Sequence, residues 1–211
     1  MCTFKSGIIL KDRVFVPDYE SHTDMLNELG IKDTQKNAER LFVRAELIPP
    51  GHDPFTDIDT WQLKVDQDII PDWFVKEYEE KRMRAAVMEY AKGHIHIGVK
   101  GLVLDRGNHY IKDCEDVTAM GSSTVTAMDS STVTAMDSST VTAWGSSTVT
   151  AWGSSTVTAP LWSSVPCENI VLANNSTFKD CRIQKIFQCG DWEIVSVMPN
   201  SDEPAPLPKM S

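Results

Sequence analysis

An eight-residue unit repeated without interruption between residues 117 and 164 constrains the fold more than any other feature of the chain. Written in register, the segment reads VTAMGSST, VTAMDSST, VTAMDSST, VTAWGSST, VTAWGSST and VTAPLWSS. Copies that are nearly identical adopt nearly identical conformations, so this segment must be a stack of equivalent units.

Each copy contains the elements of one short strand and one bend. The Thr-Val-Thr triplet is β-branched and favours extended backbone, whereas the Gly-Ser-Ser or Asp-Ser-Ser segment favours a turn. Two copies then make one coil of about 16 residues, with strands on two opposite faces. The sequence therefore predicts a mainly β fold: a short two-faced β-solenoid with capping segments, joined to a small α+β N-terminal domain.

Strand alternation divides the side chains of the repeat between a thin core and two outer faces. Ser123 and Ala127 should point inward together with the valines, which are Val125, Val133, Val141, Val149 and Val157. The threonines should point outward, and stacking of coils at about 4.7–4.9 Å lines them up as ladders. One face holds Thr124, Thr126, Thr140, Thr142, Thr156 and Thr158, and the other holds Thr132, Thr134, Thr148 and Thr150.

A methionine or tryptophan also recurs every eight residues. Met120, Met136 and Trp152 should line one edge of the solenoid, and Met128 and Trp144 the other. Two interpretations stand side by side. Exposed apolar rows would mark a partner site or a homodimer seam, whereas side chains folded back over the turns would be local packing.

The repeat resembles a known family. The string SSTVTAWGSSTVTAWGSSTVTA is similar to the 16-residue repeats of bacterial ice-nucleation proteins, which also alternate octapeptides with Thr-x-Thr and an aromatic residue beside Gly-Ser. The resemblance covers residues 117–164 and implies solenoid geometry. More loosely, the layout resembles uncharacterised proteins of Firmicutes and their phages, in which a stretch like WQLKVDQDIIPDWF precedes a repeat; that resemblance implies a mobile-element accessory protein.

The chain divides by composition into three predicted parts. Residues 1–108 form the α+β domain, residues 109–198 the solenoid with degenerate C-terminal coils, and residues 199–211 a disordered, proline-rich tail. In the first part we expect a strand pair in residues 1–16 and a helix from Ser21 to Leu29. Further on we expect a strand at 41–48, a strand beginning at Trp61, and a long helix N-capped by Asp72, ended by Gly93 and buried through Trp73, Tyr78, Met83, Val87 and Tyr90. This leader should cap one end of the solenoid, and the degenerate coils should close the other.

The net charge of the chain limits the classes of partner that it is expected to bind. The net charge of −10 disfavours direct binding to nucleic acid or to an anionic membrane, and suits a host protein with a basic nucleic-acid-binding groove. Six aspartates near Trp61 and Trp73 form a predicted acidic patch: Asp53, Asp57, Asp59, Asp66, Asp68 and Asp72. A polar N-terminus and the absence of a run of 18 apolar residues predict a cytoplasmic protein.

Catalytic signals are weak. His94 and His96 lie two residues apart, and with His109 or an acid they could hold a metal, but surface histidines are commoner. The aspartate pairs lack the spacing of a calcium loop, and Cys114 lacks a clear base. We therefore expect no enzyme, no metal and no cofactor. Two hypotheses remain: a binding protein that inhibits a host defence protein such as a CRISPR nuclease, and an ice- or surface-binding solenoid that uses its threonine ladders.

Overall fold

The computed structural model describes residues 5–161, 163–166 and 169–189. The chain splits into two compact units: an N-terminal unit of residues 1–100 and 106–114, and a repeat unit of residues 101–105 and 115–211. The fold is mainly β, with a β-solenoid of about four turns and a small N-terminal sheet with few helices. The tail predicted at 199–211 lies outside the described residues.

The N-terminal unit is built on a four-stranded antiparallel sheet in the order β2-β1-β3-β4. The strands are β1 (Lys5–Leu10), β2 (Val14–Phe15), β3 (Phe42–Ile48) and β4 (Gln62–Val65). The helices are α1 (His22–Glu28), α2 (Gln35–Ala38) and α3 (Lys76–His94). The strand pair expected in residues 1–16 is present, and the Ser21 side chain accepts a hydrogen bond from the Asp24 amide and caps α1.

Both faces of this sheet are covered. Ile9 packs with Trp61 and Met83 in a core that involves α3, whereas its neighbour Ile8 packs with Met25 in a second core that involves α1. Consecutive residues of β1 therefore serve opposite cores, as the two-residue period of a strand requires. This explains why β1 is buried along its whole length.

The long helix differs from its prediction at both ends. It begins at Lys76 with Val75 as N-cap, because the Phe74 amide bonds to the Pro71 carbonyl in a turn that places Asp72 before the helix. It also continues through Gly93, since β5 (Ile95–Ile97) follows without a loop. Its buried side chains are Glu79, Met83, Val87 and Ala91, so Tyr78, which is 61% exposed, does not belong to its core face.

The predicted coils of 16 residues are confirmed, but the expected bend is missing within the first strand, which runs from Val117 to Met128 through the first octapeptide into the second; each later strand belongs to one octapeptide. Strands two octapeptides apart pair in parallel, so that Val125 lies beside Val141 and Val133 beside Val149. The five valines named above and the alanines two residues after them are buried. The strands are β7 (Val117–Met128), β8 (Thr132–Ala135), β9 (Thr140–Ala143), β10 (Thr148–Ala151) and β11 (Thr156–Ala159), which follow β6 (Val103–Lys112).

The bends use left-handed backbone at the residue after each methionine or tryptophan. Asp129 and Asp137 have φ of 54° and 56°, which aspartate tolerates better than most residues. At Gly145 an added Cβ would lie 2.8 Å from the Asp129 Cα of the coil below, so a side chain there meets backbone as well as strain. Within each stack a glycine therefore lies directly over the backbone of an aspartate, Gly145 over Asp129 and Gly153 over Asp137.

The segment after the repeat continues both stacks as degenerate coils and then ends one of them. β12 (Ile170–Leu172) pairs with β10, and β13 (Thr177–Asp180) pairs with β11 in parallel. Phe178 takes the inward position above Val157, and the next inward residue, Asp180, is buried with both carboxylate oxygens on Arg182. β14 (Lys185–Gln188) then pairs antiparallel with β13.

Candidate binding surfaces

The first outer face of the solenoid is a ladder of threonine pairs. Thr124 pairs with Thr140 and Thr140 with Thr156, and the second column repeats this register two residues later. Each hydroxyl and methyl therefore recurs at the spacing of neighbouring strands, about 4.7–4.9 Å. The predicted assignment of Thr126, Thr142 and Thr158 to the same face is confirmed.

The second face carries the other ladder. Thr132 pairs with Thr148 and Thr134 with Thr150, which confirms the predicted division of threonines between the faces. The faces differ beyond the repeat. On the second face Val171, which is 51% exposed, pairs with Thr150 on the next rung. On the first face Lys179 pairs with Thr158 in the same way. The two ladders therefore end in different chemistry, one apolar and one cationic.

The two edges differ in exposure. Met136 is 38% and Trp152 44% exposed, and they occupy equivalent positions on successive coils. On the other edge Met128 and Trp144 are only partly exposed, as is Met120 below Met136. One edge therefore presents Met136 and Trp152 to solvent, whereas the side chains of the other edge are less exposed.

The repeat offers contact surface and little reactive chemistry. Residues 117–161 contain no Lys, Arg, His or Cys, and Asp129 and Asp137 are their only acids. A threonine hydroxyl needs an adjacent base to become a nucleophile, and the ladders supply only further hydroxyl and methyl groups. The threonine faces offer hydroxyl groups for hydrogen bonds and methyl groups for apolar contact.

The six aspartates of the predicted patch lie at both ends of β4. Asp53, Asp57 and Asp59 precede the strand, and Asp66, Asp68 and Asp72 follow it. The first group turns partly towards its own backbone, since Asp53 accepts from the Phe55 amide and Asp57 from the Asp59 amide.

Arg84 and Lys64 of the same unit neutralise part of this charge. The Asp59 carboxylate lies 3.9 Å from Arg84 and the Asp66 carboxylate 4.0 Å from Lys64, and Asp66 also lies 3.4 Å from the His22 ring. Trp61, expected beside the patch, is 1% exposed and belongs to the core. Of the six aspartates only Asp53 is partly buried, so both groups remain exposed to solvent.

Three of the five histidines, His94, His96 and His109, gather in the N-terminal unit. The rings of His94 and His109 stack with centroids 5.0 Å apart, and those of His96 and His109 lie 6.0 Å apart. His94 also faces the Asp18 carboxylate at 3.2 Å. Across residues 5–161, 163–166 and 169–189, no three His, Cys, Asp or Glu residues are arranged to hold a metal ion.

Among the described residues, Cys114, Cys181 and Cys189 form no disulfide, while Cys2 and Cys167 lie outside the described residues. In the part of the chain that the structure describes, every helix is too short or too polar to cross a membrane.

One buried cluster escaped the sequence analysis. The Lys5 ammonium is paired with Glu20 at 2.7 Å and lies 4.1 Å from the centre of the Tyr90 ring, which stacks on His94. Burial lowers the pKa of Lys5, although the Glu20 carboxylate acts in the opposite direction. Lys5 precedes Ser6 and Gly7 in β1, and Glu20 lies 15 residues later in a loop, so no local pattern in the sequence indicates that the two side chains pair.

The comparisons with known proteins leave the chain without a match. No protein-family model, no curated protein and no solved structure matches it.

Proposed function

We propose that this protein is a non-enzymatic binding protein and that the solenoid is its recognition element. The observation that carries the proposal is the exposed pair formed by Met136 and Trp152 on successive coils. Tryptophan is enriched among the residues that contribute most to protein–protein binding. The rung spacing of a solenoid holds the two side chains at a fixed separation, so little conformational entropy is lost when a partner binds.

The favoured partner is a protein with an apolar groove flanked by basic residues. The apolar groove fits Met136 and Trp152, and basic flanks suit a chain with a net charge of −10. In its most specific form, the proposal is that a phage or mobile-element accessory protein inhibits a host defence protein, such as a CRISPR nuclease, by occupying its nucleic-acid groove. The threonine faces of the solenoid are neutral, so acidic residues of the N-terminal unit, such as Asp68 and Asp72, supply the charge.

Two tryptophans in identical octapeptides provide a matched test. A partner captured from bacterial lysate should lose affinity about tenfold or more with Trp152→Ala, and retain it with Trp144→Ala, which removes the same side chain from the less exposed edge. Equal loss for both variants, or no captured partner, would contradict the proposal. Undiminished Cas9 cleavage with excess protein would remove the specific form alone.

The threonine register supports a second candidate, binding to ice or another ordered surface. Thr140 and Thr142 occupy the middle of the ladder on the face with three complete pairs. Their replacement by tyrosine should abolish any freezing hysteresis of the protein, whereas the same change at Thr132 and Thr134 should leave most of it. Absence of hysteresis in the unchanged protein ends this candidate.

A second copy of the chain, bound at Met136 and Trp152, is the alternative that must be distinguished from a partner protein. Sedimentation velocity over a range of concentrations would reveal a homodimer through the solenoid edge. A dimer that Trp152→Ala dissociates would assign the exposed pair to self-association instead of to a partner protein.

A further inference from the structure

Three of the five histidines of the chain converge within the N-terminal unit, from three different elements. His94 is the last residue of α3, His96 lies in β5, and His109 lies in β6. The parallel pairing of β5 with β6 sets His96 beside Ile111, two residues from His109, so both side chains lie on one face of the strand pair. We refer to these three residues as the histidine cluster.

The hydrogen bonds of the cluster are unequal. His94 is held at both ring nitrogens, by the Asn108 carbonyl at 2.9 Å and by the Asp18 carboxylate at 3.2 Å. His109 uses Nε2 on the Arg106 carbonyl at 2.8 Å. Within the described residues, His109 Nδ1 and His96 Nε2 are buried and have no hydrogen-bond partner of normal geometry.

This arrangement favours neutral imidazoles at His96 and His109. A proton added to His109, or to the buried Nε2 of His96, places a charge away from solvent, and a second proton adds repulsion between neighbouring rings. The only carboxylate in contact with the cluster through a described ion pair is Asp18, and it contacts His94.

The groups that surround the cluster do not reverse this preference. On α3 the Tyr90 ring stacks on His94, and on β1 the Lys5 ammonium over Tyr90 is a further cation. Asp18 faces it from the loop before α1, where Glu20 pairs with Lys5. Tyr110 lies next to His109 on β6, and the Cys114 thiol donates to the His96 carbonyl. Burial is the largest influence on His96 and His109, and it lowers the pKa of both below 6.5. Hydrogen bonding to the Gly93 backbone raises the pKa of both residues, and the Arg106 carbonyl and the Asp18 charge also raise that of His109, but these influences are smaller.

We propose that the histidine cluster is an acid-sensitive latch that holds the end of α3 and strand β5 on β6, and that opens this corner of the N-terminal unit below neutral pH. In the unfolded or opened segment both histidines regain their ordinary affinity for protons. As the pH falls below 6.5, the ordinary pKa of histidine, the opened form takes up protons first, so the closed form loses stability progressively. Above that value the closed form keeps its full stability.

Amide hydrogen exchange of the full chain tests the latch. Between about pH 7.5 and about pH 5.5, after correction for the intrinsic exchange rate, amides of Ile95–Ile97 and of residues 109–112 should open about tenfold more often, while β1 and β3 should change little. His109→Gln keeps a donor for the Arg106 carbonyl and removes the titrating group, so it should suppress this pH dependence. The control His52→Asn changes an exposed histidine with positive φ to another residue that tolerates it and should leave the dependence intact.

A direct titration keeps the test decisive if His109→Gln does not fold. Ring resonances of the unchanged protein, followed by NMR against pH, should show two histidines that bind protons below pH 6.5. Titration of all five histidines at or above that value, or exchange of β5 that does not depend on pH, would overturn the proposal.

Discussion

The two compact units bury their cores in opposite ways. In the N-terminal unit the buried side chains are large and differ from one another, among them Trp61, Phe42 and Met83. In the solenoid only Val, Ala and Ser fill the core of the five repeat strands, and they are buried equally well. The first core depends on large side chains that each fill a different space, whereas the second repeats the same three small residue types at equivalent positions. Substitutions should therefore show two different patterns of sensitivity.

The largest expected effect is a charge inside the solenoid. Val141 is completely buried between Val125 and Val157, so Val141→Asp places a carboxylate where no cation can reach it. We expect a loss of about 5 kcal/mol or more in the free energy of unfolding. The neighbouring outward change, Thr142→Asp, should cost about 1 kcal/mol or less. Urea unfolding followed by circular dichroism would check both, and equal effects would show that valine does not face a shared core.

The tryptophans compare the two units directly. Trp61→Ala removes a fully buried side chain whose Nε1 donates to Thr56, and should destabilise the N-terminal unit by about 3–5 kcal/mol. Trp152→Ala, at a side chain 44% exposed, should cost about 1 kcal/mol or less. Hydrogen exchange of β1 and β3 would report the first effect separately from the solenoid. A comparable loss for Trp152→Ala would mean that the edge side chain is part of the packing.

Gly30 and Gly145 both have left-handed backbone, so alanine at each position compares the cost of backbone strain alone with the cost of strain plus steric crowding. At Gly30 an added Cβ meets nothing within 4 Å, so Gly30→Ala should cost only the conformational strain, about 1–2 kcal/mol. At Gly145 the same Cβ meets the Asp129 backbone at 2.8 Å, so Gly145→Ala should cost more, about 2–3 kcal/mol. Thermal unfolding of both variants gives the comparison, and the reverse order would show that the stacked turns can move apart.

The smallest expected effects concern two core serines, Ser147 and Ser139, which differ in their hydrogen bonds. The Ser147 hydroxyl donates to the Trp144 carbonyl at 2.7 Å, and Ser147→Ala should cost about 1 kcal/mol. The Ser139 hydroxyl is buried and has no hydrogen-bond partner among the described residues, so Ser139→Ala should be neutral or slightly stabilising. Chemical denaturation of the two variants tests this difference. A clear loss for Ser139→Ala would indicate a bound water at that hydroxyl.

The solenoid could be predicted in detail because its information is local and repeated. The eight-residue period alone sets which residues face inward and which threonines share a face, and every pair in the ladders follows from it. The N-terminal unit has no such redundancy. Its central pairing joins Lys5 to Leu47, and nothing in the intervening sequence specifies that partner. Individual strands and α1 were predictable, whereas the layer arrangement was not.

The sites follow the same division. The outward threonines and the edge side chains were placed correctly, but the sequence could not show that Met136 and Trp152 are more exposed than Met128 and Trp144. The six aspartates were expected together, yet β4 separates them into two groups with different partners. His96 and His109 are 13 positions apart in the chain, and only the pairing of β5 with β6 makes them neighbours.

The in-register pairing of strands two octapeptides apart also governs how the array can change in length. Loss or gain of two copies, as by slippage in a repetitive coding sequence, would translate everything downstream by one rung and leave each strand on its original face. Loss or gain of a single copy would instead rotate the C-terminal segment by half a coil, so that β12 and β13 exchange sides. Even changes in copy number therefore adjust the height of the ladders, whereas odd changes reassign which ladder ends in Val171 and which in Lys179.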